Sequence, residues 1–182
     1  SQNGYGRSNM NEFKVFTIKK NIHEDNVKVA EATRDTLRKQ GTFLINIMSS
    51  PGSGKTTTLV STIKALKDDF AIGVMEADVD SDVDAKTVQE AGAKAIQLHT
   101  NGLCHLDATM TKQGLDELEV GDLDLVFLEN IGNLICPAGY DTGAMKNIAI
   151  LSVPEGDDKP LKYPKIFGKV EVLIVSKMDC IE

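Results

Sequence analysis

The segment that most restricts this chain is Ser49-Ser50-Pro51-Gly52-Ser53-Gly54-Lys55-Thr56, which follows the apolar run Phe43 to Met48 and precedes a helix-forming stretch to about Leu66. Glycines let the backbone curl so that successive N–H groups and a helix N-terminus surround phosphate oxygens. In that setting Lys55 reaches the outer phosphates and the Thr56 hydroxyl ligates Mg²⁺, the arrangement known as Walker A. The strict pattern G-x-x-x-x-G-K-[ST] begins with glycine where this chain has Ser49, so the match falls one position short. A glycine-rich turn with an incidental lysine is the alternative, and the order strand, loop, helix argues against it. Gly52, Ser53, Gly54, Lys55, Thr56 and Thr57 are the expected nucleotide cradle.

Around this segment, apolar strand-like runs recur at Thr42 to Met48, Ala71 to Met75, Ala93 to Leu98, Leu123 to Leu128, Asn147 to Val153 and Val170 to Val175. Several are apolar on both faces, as strands of a parallel sheet covered by helices on both sides are, and helix-like stretches separate most of them. The expected fold class is α/β, a P-loop NTPase with a mostly parallel central sheet flanked by helices. Asn21 to Gln40 reads as a leading helix with Val27, Ala30 and Leu37 on its apolar face and Gly41 at its stop. Ser1 to Asn9 reads as a tag remnant or disordered segment before Met10, leaving 10–182 as one domain. At 182 residues with 41% hydrophobic content, the chain can close a core without disulfides. Its apolar runs fall far short of the roughly 18 to 20 residues that span a bilayer, and no secretory signal opens it, so a cytoplasmic location is expected. A net charge of -7 argues against nucleic acid as a partner.

About 120 residues after the phosphate segment, Val170 to Val175 leads into Ser176-Lys177-Met178-Asp179, close to the Asn-Lys-x-Asp of guanine-binding GTPases. A carboxylate at Asp179 accepts two hydrogen bonds from guanine's ring N–H and exocyclic amine, a donor pair that adenine lacks. Alone, this tetrapeptide reads as a solvated turn. After a P-loop and a late parallel strand, Lys177 and Asp179 become the expected base contacts, although Ser176 replaces the asparagine that usually braces the loop. Asp78, closely following the run Ala71 to Met75, and Glu129, ending Leu123 to Leu128, stand where carboxylates hold Mg²⁺ directly or through water. A helix N-cap is the plainer role for either. With Lys55 and Thr56 they are the expected catalytic set. The acidic run from Asp78 to Asp84 is not a calcium loop, because Val83 takes the required glycine position and Gln89 the twelfth.

Cys104-His105 and Cys136 lie in loops expected at the same sheet edge as the nucleotide. Two thiolates and an imidazole suit zinc or nickel but fall one short of a tetrahedral set, which points to sharing across a dimer or an open position for metal in transit. Their spacing matches no standard zinc motif, so on the residues alone ordinary buried or reactive thiols are favoured. His23 and His99 read as surface and core-edge residues.

Taken together, Ser49 to Thr56, Cys104-His105-Leu106-Asp107-Ala108, Glu129-Asn130-Ile131-Gly132-Asn133-Leu134-Ile135-Cys136-Pro137-Ala138 and Glu155-Gly156-Asp157-Asp158-Lys159-Pro160-Leu161-Lys162-Tyr163-Pro164 resemble HypB, the GTPase family that assists nickel insertion into [NiFe]-hydrogenase. The resemblance runs from about residue 20 to the end. It differs from the related urease accessory GTPases, which carry Cys-Pro-His, and a serine at position 49 is usual in HypB. What it implies is a SIMIBI-type GTPase using GTP/GDP and Mg²⁺, dimeric in the GTP state, with Zn²⁺ or Ni²⁺ held at the subunit interface by Cys104, His105 and Cys136. That reverses the preference for ordinary thiols. The implied partners are a HypA-like nickel- and zinc-binding protein and the hydrogenase large subunit.

Two departures are visible. Residues 1 to 40 lack the N-terminal cysteine motif or histidine-rich tract with which many relatives bind nickel tightly, so no separate high-affinity nickel site is expected. The chain stops at Glu182, three residues after Asp179, where relatives continue with a further helix, strand and base-contacting loop, so a shortened chain is expected. Two rival functions remain. A P-loop small-molecule kinase should carry an arginine lid, whereas the only arginines are Arg7, Arg34 and Arg38, all before the P-loop. A non-catalytic, nucleotide-organised metal-binding scaffold stays open because no residue is assignable as the water-positioning group.

Overall fold

The computed structural model describes residues 14–19, 25–50, 52–77, 82–156 and 162–180. Strands β1 (Lys14–Thr17), β2 (Phe43–Ser49), β3 (Ile72–Glu76), β4 (Lys94–His99), β5 (Leu125–Glu129), β6 (Lys146–Ser152) and β7 (Val172–Ser176) form a seven-stranded sheet ordered β1-β4-β3-β5-β2-β6-β7. Every pairing is parallel, so the expected α/β architecture is the observed one. Helices α1 (Asn26–Gln40), α2 (Lys55–Leu66), α3 (Asp82–Ala91), α4 (Ala108–Leu118) and α5 (Pro164–Lys169) provide the covering layers. β2 lies between β5 and β6, and the chain leaves it in one direction towards β3 and later fills its other side with β6. Such a reversal opens a crevice at the carboxyl end of the central strand, where the phosphate segment begins.

Side-chain alternation along the strands divides the core. Leu44, Met75, Ile96, Leu98, Val126 and Leu128 pack beneath Leu37 of α1 and Met110, Leu115 and Leu118 of α4. On the other face Ile47, Ile72, Val74, Ala95 and Phe127 meet Leu59 and Ile63 of α2 and Val88 of α3. Gly114 allows α4 its close approach, since a Cβ there would lie 2.8 Å from Met75 Sδ and 3.1 Å from Leu98 Cδ1. That seating matters because α4 continues directly from the loop carrying Cys104.

Three differences from the sequence reading have local causes. Five of the six anticipated strands run one residue further, to Ser49, Glu76, His99, Glu129 or Ser176, while the run read as Asn147 to Val153 is the strand Lys146–Ser152 and stops one residue earlier. Parallel pairing persists past the last apolar side chain, so the carboxyl rim of the sheet is polar. β1 escaped notice because its four residues are largely exposed on the outer edge. α1 begins at Asn26 rather than Asn21, because Asp25 is extended and its side chain caps the helix by accepting from Val27 N. Its buried face is Ala30, Thr33 and Leu37, while Val27 is exposed. Gly41 ends it in the left-handed conformation, as anticipated.

α1 is tied to the segment after the second cysteine loop by a bidentate pair. Arg34 Nη1 and Nη2 donate to Asp141 Oδ1 and Oδ2, both at 2.8 Å, and Nη1 also donates to the Ala144 carbonyl at 3.2 Å. The Arg34 guanidinium holds the Asp141 carboxyl below its ordinary value against the opposing effect of burial, helped by the Gly143 N–H. A depressed folded-state value stabilises above the unfolded carboxylate range and is lost as pH falls through it. Because Asp141 is 40% exposed, Asp141→Asn should cost only about 1 kcal/mol at neutral pH. In urea titrations that difference should shrink towards zero as the pH is taken below the ordinary carboxylate range.

Candidate functional site

The phosphate loop is built by two residues that need glycine. Gly52 and Gly54 have φ of 74° and 84°, and Gly54 enters α2 as its N-cap without a side-chain hydrogen bond. The first-turn N–H groups of α2 are therefore aimed out of the helix end at the crevice, as an anion site requires. Lys55, Thr56 and Thr57 occupy that first turn, with Lys55 buried, Thr56 half-buried and Thr57 exposed. Ser53, anticipated in the cradle, is buried between the two glycines.

Lys55 Nζ lies 3.3 Å from Glu129 Oε1 and donates to the Asn130 carbonyl at 3.3 Å. Glu129 is fully buried, yet neither of its carboxylate oxygens has an aligned hydrogen bond. The hydroxyls of Ser49, Ser50 and Ser53 are likewise buried without partners. Unsatisfied acceptors and hydroxyls around a lysine and a helix N-terminus suit a phosphate chain with a hard cation. Asp78, the other anticipated Mg²⁺ carboxylate, lies outside the described residues. The structure instead brings a carboxylate that sequence reasoning missed. Glu76 is fully buried and is the register partner of Glu129 on the adjacent strand. Both project to the α2 side, as the parity of Val74 and Phe127 requires. The available signal was the acidic residue closing the run Ile72 to Met75.

An amide ladder supports this rim from the opposite face. Asn130 Nδ2 donates to Asn46 Oδ1, and Asn46 Nδ2 donates to Asn147 Oδ1, each at 3.0 Å, linking β5, β2 and β6. Asn130 Oδ1 accepts from Ile131 N at 2.8 Å, fixing the turn that leaves β5.

The Ser176-Lys177-Met178-Asp179 segment docks on the phosphate loop. The Ser176 hydroxyl donates to the Ser53 carbonyl, so serine supplies the brace for which asparagine is usual. Lys177 adopts a left-handed φ of 56°, and its Nζ donates to the Gly52 carbonyl at 2.6 Å. Asp179 follows in a short 3-10 turn and is exposed.

At the same edge, Cys104 and His105 lie between β4 and α4. Leu106 is buried, and Asp107 caps α4 by accepting from Met110 N at 2.9 Å, so the helix begins at Ala108. Cys104 Sγ is 3.8 Å from His105 Nδ1, and the His105 ring stacks on Tyr140 with centroids 3.7 Å apart. Hydrogen bonding with the Cys104 thiol, followed by desolvation and the Cys104 charge, pushes the Cys136 thiol above its ordinary value. The two anticipated thiols therefore meet across some thirty residues of sequence. Among the described residues, however, no three His, Cys, Asp or Glu side chains gather at metal-ligand spacing, so His105 is not closed with both thiols around one point. His99 is exposed at the end of β4, and His23 lies outside the described residues. Arg34 and Arg38 pair with Asp141 and Asp35 from α1, which packs on the sheet face opposite α2.

A parallel sheet reversing at β2, a glycine loop running into α2 and a buried lysine at its start define a P-loop nucleotide-binding protein. Residues 43–182 match the CobW/HypB/UreG nucleotide-binding domain. The chain is 43% identical over 170 residues to hydrogenase maturation factor HypB of Rhizobium leguminosarum bv. viciae, covering 93% of this chain and 57% of that one. It is 42% identical over 178 residues to the hydrogenase/urease maturation factor HypB of Helicobacter hepaticus, covering 96% and 72%. The crystal structure of HypB from Helicobacter pylori in complex with nickel superposes with a TM-score of 0.77 at 41% identity, over 86% of this chain and 74% of that one. Signal recognition particle receptor FtsY from Elizabethkingia anophelis, 16% identical with a TM-score of 0.58 over 87% of this chain and 60% of that one, shares the fold. This chain belongs to the CobW/HypB/UreG family and, within it, to the HypB maturation factors. It spans between 57% and 72% of the length of these two curated relatives. Among the described residues no helix is long and apolar enough to cross a membrane.

The buried pair makes a stability prediction that differs from that for a surface lysine. Lys55→Met should leave Glu129 buried without its cation and cost about 3 kcal/mol. Adding Glu129→Gln should recover most of the loss in denaturant titrations, whereas additive losses would show that the two groups are energetically independent.

Proposed function

We propose that this protein binds and hydrolyses GTP, and that its nucleotide state governs a metal site formed from Cys104, His105 and Cys136, as part of nickel delivery to a [NiFe]-hydrogenase. The observation carrying this reading is the segment 130–136. Its first residue receives the phosphate-loop lysine through the Asn130 carbonyl, and its last carries the thiol that meets Cys104. A phosphate chain competes with Glu129 and Asn130 for Lys55, so any response of those two residues is transmitted along six further residues to Cys136. The nickel bound to the Helicobacter pylori relative supports the choice of cargo.

In the hydrolytic role, Lys55 stabilises charge developing on the transferred phosphoryl group. Mg²⁺ held by Thr56, Glu129 and Asp78, with Glu76 as a further candidate, would neutralise charge between the outer phosphates. Guanine selectivity is assigned to Asp179, supported by the docking of Ser176 and Lys177 on the loop that cradles the phosphates. The metal reading calls for a second copy, because two thiols and an imidazole leave a tetrahedral ion short of ligands and a two-fold axis doubles the supply. Exposed Ile135 and Tyr140 flank the thiols and give such a contact apolar area. The proposed setting is cytoplasmic, with a HypA-like nickel- and zinc-binding protein as collaborator and the hydrogenase large subunit as recipient.

Base recognition is tested by Asp179→Asn, which should weaken GTP at least tenfold while leaving ATP nearly unchanged, because an amide presents a donor to a donor. Equal losses for both nucleotides in equilibrium binding would reduce the segment to a turn. For the metal, Cys104→Ala and Cys136→Ala should each abolish nickel and zinc binding while preserving metal-free GTP affinity. The parent's metal affinity should differ between GDP and a GTP analogue, with metal changing nucleotide affinity by the same factor. Unchanged metal binding in both variants would defeat the reading. Single-turnover phosphate release separates the hydrolytic enzyme from a scaffold that only binds nucleotide.

A further inference from the structure

Two loops distant in sequence hold their thiols together, and among the described residues the side chain of Asn133 hydrogen-bonds the backbone of both. Asn133 Nδ2 donates to the Cys104 carbonyl at 2.8 Å, while its Oδ1 accepts from Ile135 N and Cys136 N, each at 2.9 Å. One face of this amide forms the turn that presents Cys136, and the other grips the backbone of Cys104. Asn133 N also donates to the Ile131 carbonyl at 2.8 Å, and Ile131 N is held by Asn130 Oδ1. An unbroken chain of contacts thus runs from Lys55 through Asn130, Ile131 and Asn133 to Cys104.

We infer that Asn133 is a positioning residue that sets the separation of the two thiols and passes displacement of the 130–136 segment on to Cys104. The role in metal binding rests on the function proposed above, whereas the positioning of the thiols does not. Cys104 is exposed in a loop with two left-handed residues, Asn101 and Gly102. Leu103 and Leu106 seat that loop on the core and His105 stacks on Tyr140, while Asn133 is the side chain that joins the Cys104 backbone to the turn bearing Cys136. A second brace lies farther off. Asn26 Oδ1 accepts from Ala108 N at 2.8 Å, and Asn26 Nδ2 donates to the Asp141 carbonyl at 3.0 Å, tying α4 and the 141–144 segment to α1 without touching either cysteine. It serves as the comparison for a role confined to stability.

Asn133→Asp separates the two halves of the clamp. The carboxylate keeps an acceptor for Ile135 N and Cys136 N but sets an oxygen against the Cys104 carbonyl, so the turn survives and the cross-loop bond does not. Asn133→Ala removes both. The metal-free readout is the equilibrium between the dithiol and the Cys104–Cys136 disulfide in glutathione buffers at fixed pH, in a Cys180→Ser background. In that exchange one glutathione disulfide is reduced to two glutathione thiols as the protein disulfide forms, so the equilibrium constant reports the effective concentration of one thiol at the other. Both Asn133 variants should lower it at least tenfold, and Asn26→Ala should lower thermal stability while leaving it within twofold of the parent. Cobalt(II) titration, followed by the thiolate-to-cobalt absorption band, should show the same order. An Asn133→Asp protein with the parent's disulfide equilibrium would overturn the inference. A parent with no thiolate–cobalt band would instead defeat the metal reading, while the disulfide equilibrium would still decide the clamp.

Discussion

Lys55 meets Glu129 in the interior, at the point where the sheet reverses direction, and the surrounding site is organised by that contact. A buried ammonium and a buried carboxylate are each costly, and removing either strands the other. The pair therefore joins the first turn of α2 to the end of β5 by an interaction that neither element can relinquish alone. In the proposed function an incoming phosphate chain would compete for this lysine, whose protein partners are Glu129 and the Asn130 carbonyl.

The rim on which this pair sits is polar because parallel strands keep pairing beyond their apolar cores. Ser49, Glu76, His99, Glu129, Ser152 and Ser176 end six consecutive strands and lie at one edge. Beneath it the amides of Asn130, Asn46 and Asn147 form a ladder across three strands, Asn130 donating to Asn46 and Asn46 to Asn147. A buried amide ladder of this kind specifies one arrangement of the strand ends, where apolar side chains would tolerate several.

The same edge gathers features with separate chemistry. The Ser176 hydroxyl and the Lys177 ammonium hold the 176–179 segment against the Ser53 and Gly52 carbonyls. Through Asn26 and Arg34, α1 holds the start of α4 and the 141–144 segment that follow the two cysteine loops, which gives the leading helix a role beyond covering the sheet. The His105–Tyr140 stack and the contact between the thiols complete a cluster fed by β4, β5 and α1.

The strand, glycine loop and helix start around Lys55 were legible in the sequence because their chemistry is local: glycines that tolerate positive φ, a lysine and a threonine in one turn, and an apolar strand before them. Strand order beyond β2 was not, since period-two patterning says which residues face a core and nothing about which strand lies alongside. For that reason Glu76 went unnoticed until register placed it opposite Glu129. Val27 was assigned to a buried helix face that begins instead at Ala30, because helical periodicity does not say how far along α1 the sheet covers it. The substitution of serine for asparagine at position 176 looked like a loss, and only the fold brought its hydroxyl to the Ser53 carbonyl. Likewise Cys104 and Cys136 could be placed at one edge from their positions after strands, but their contact, and the amide of Asn133 between them, depend on two loops converging. Local backbone chemistry is encoded residue by residue, whereas convergence is set by the free energy of the whole sheet choosing one order of strands.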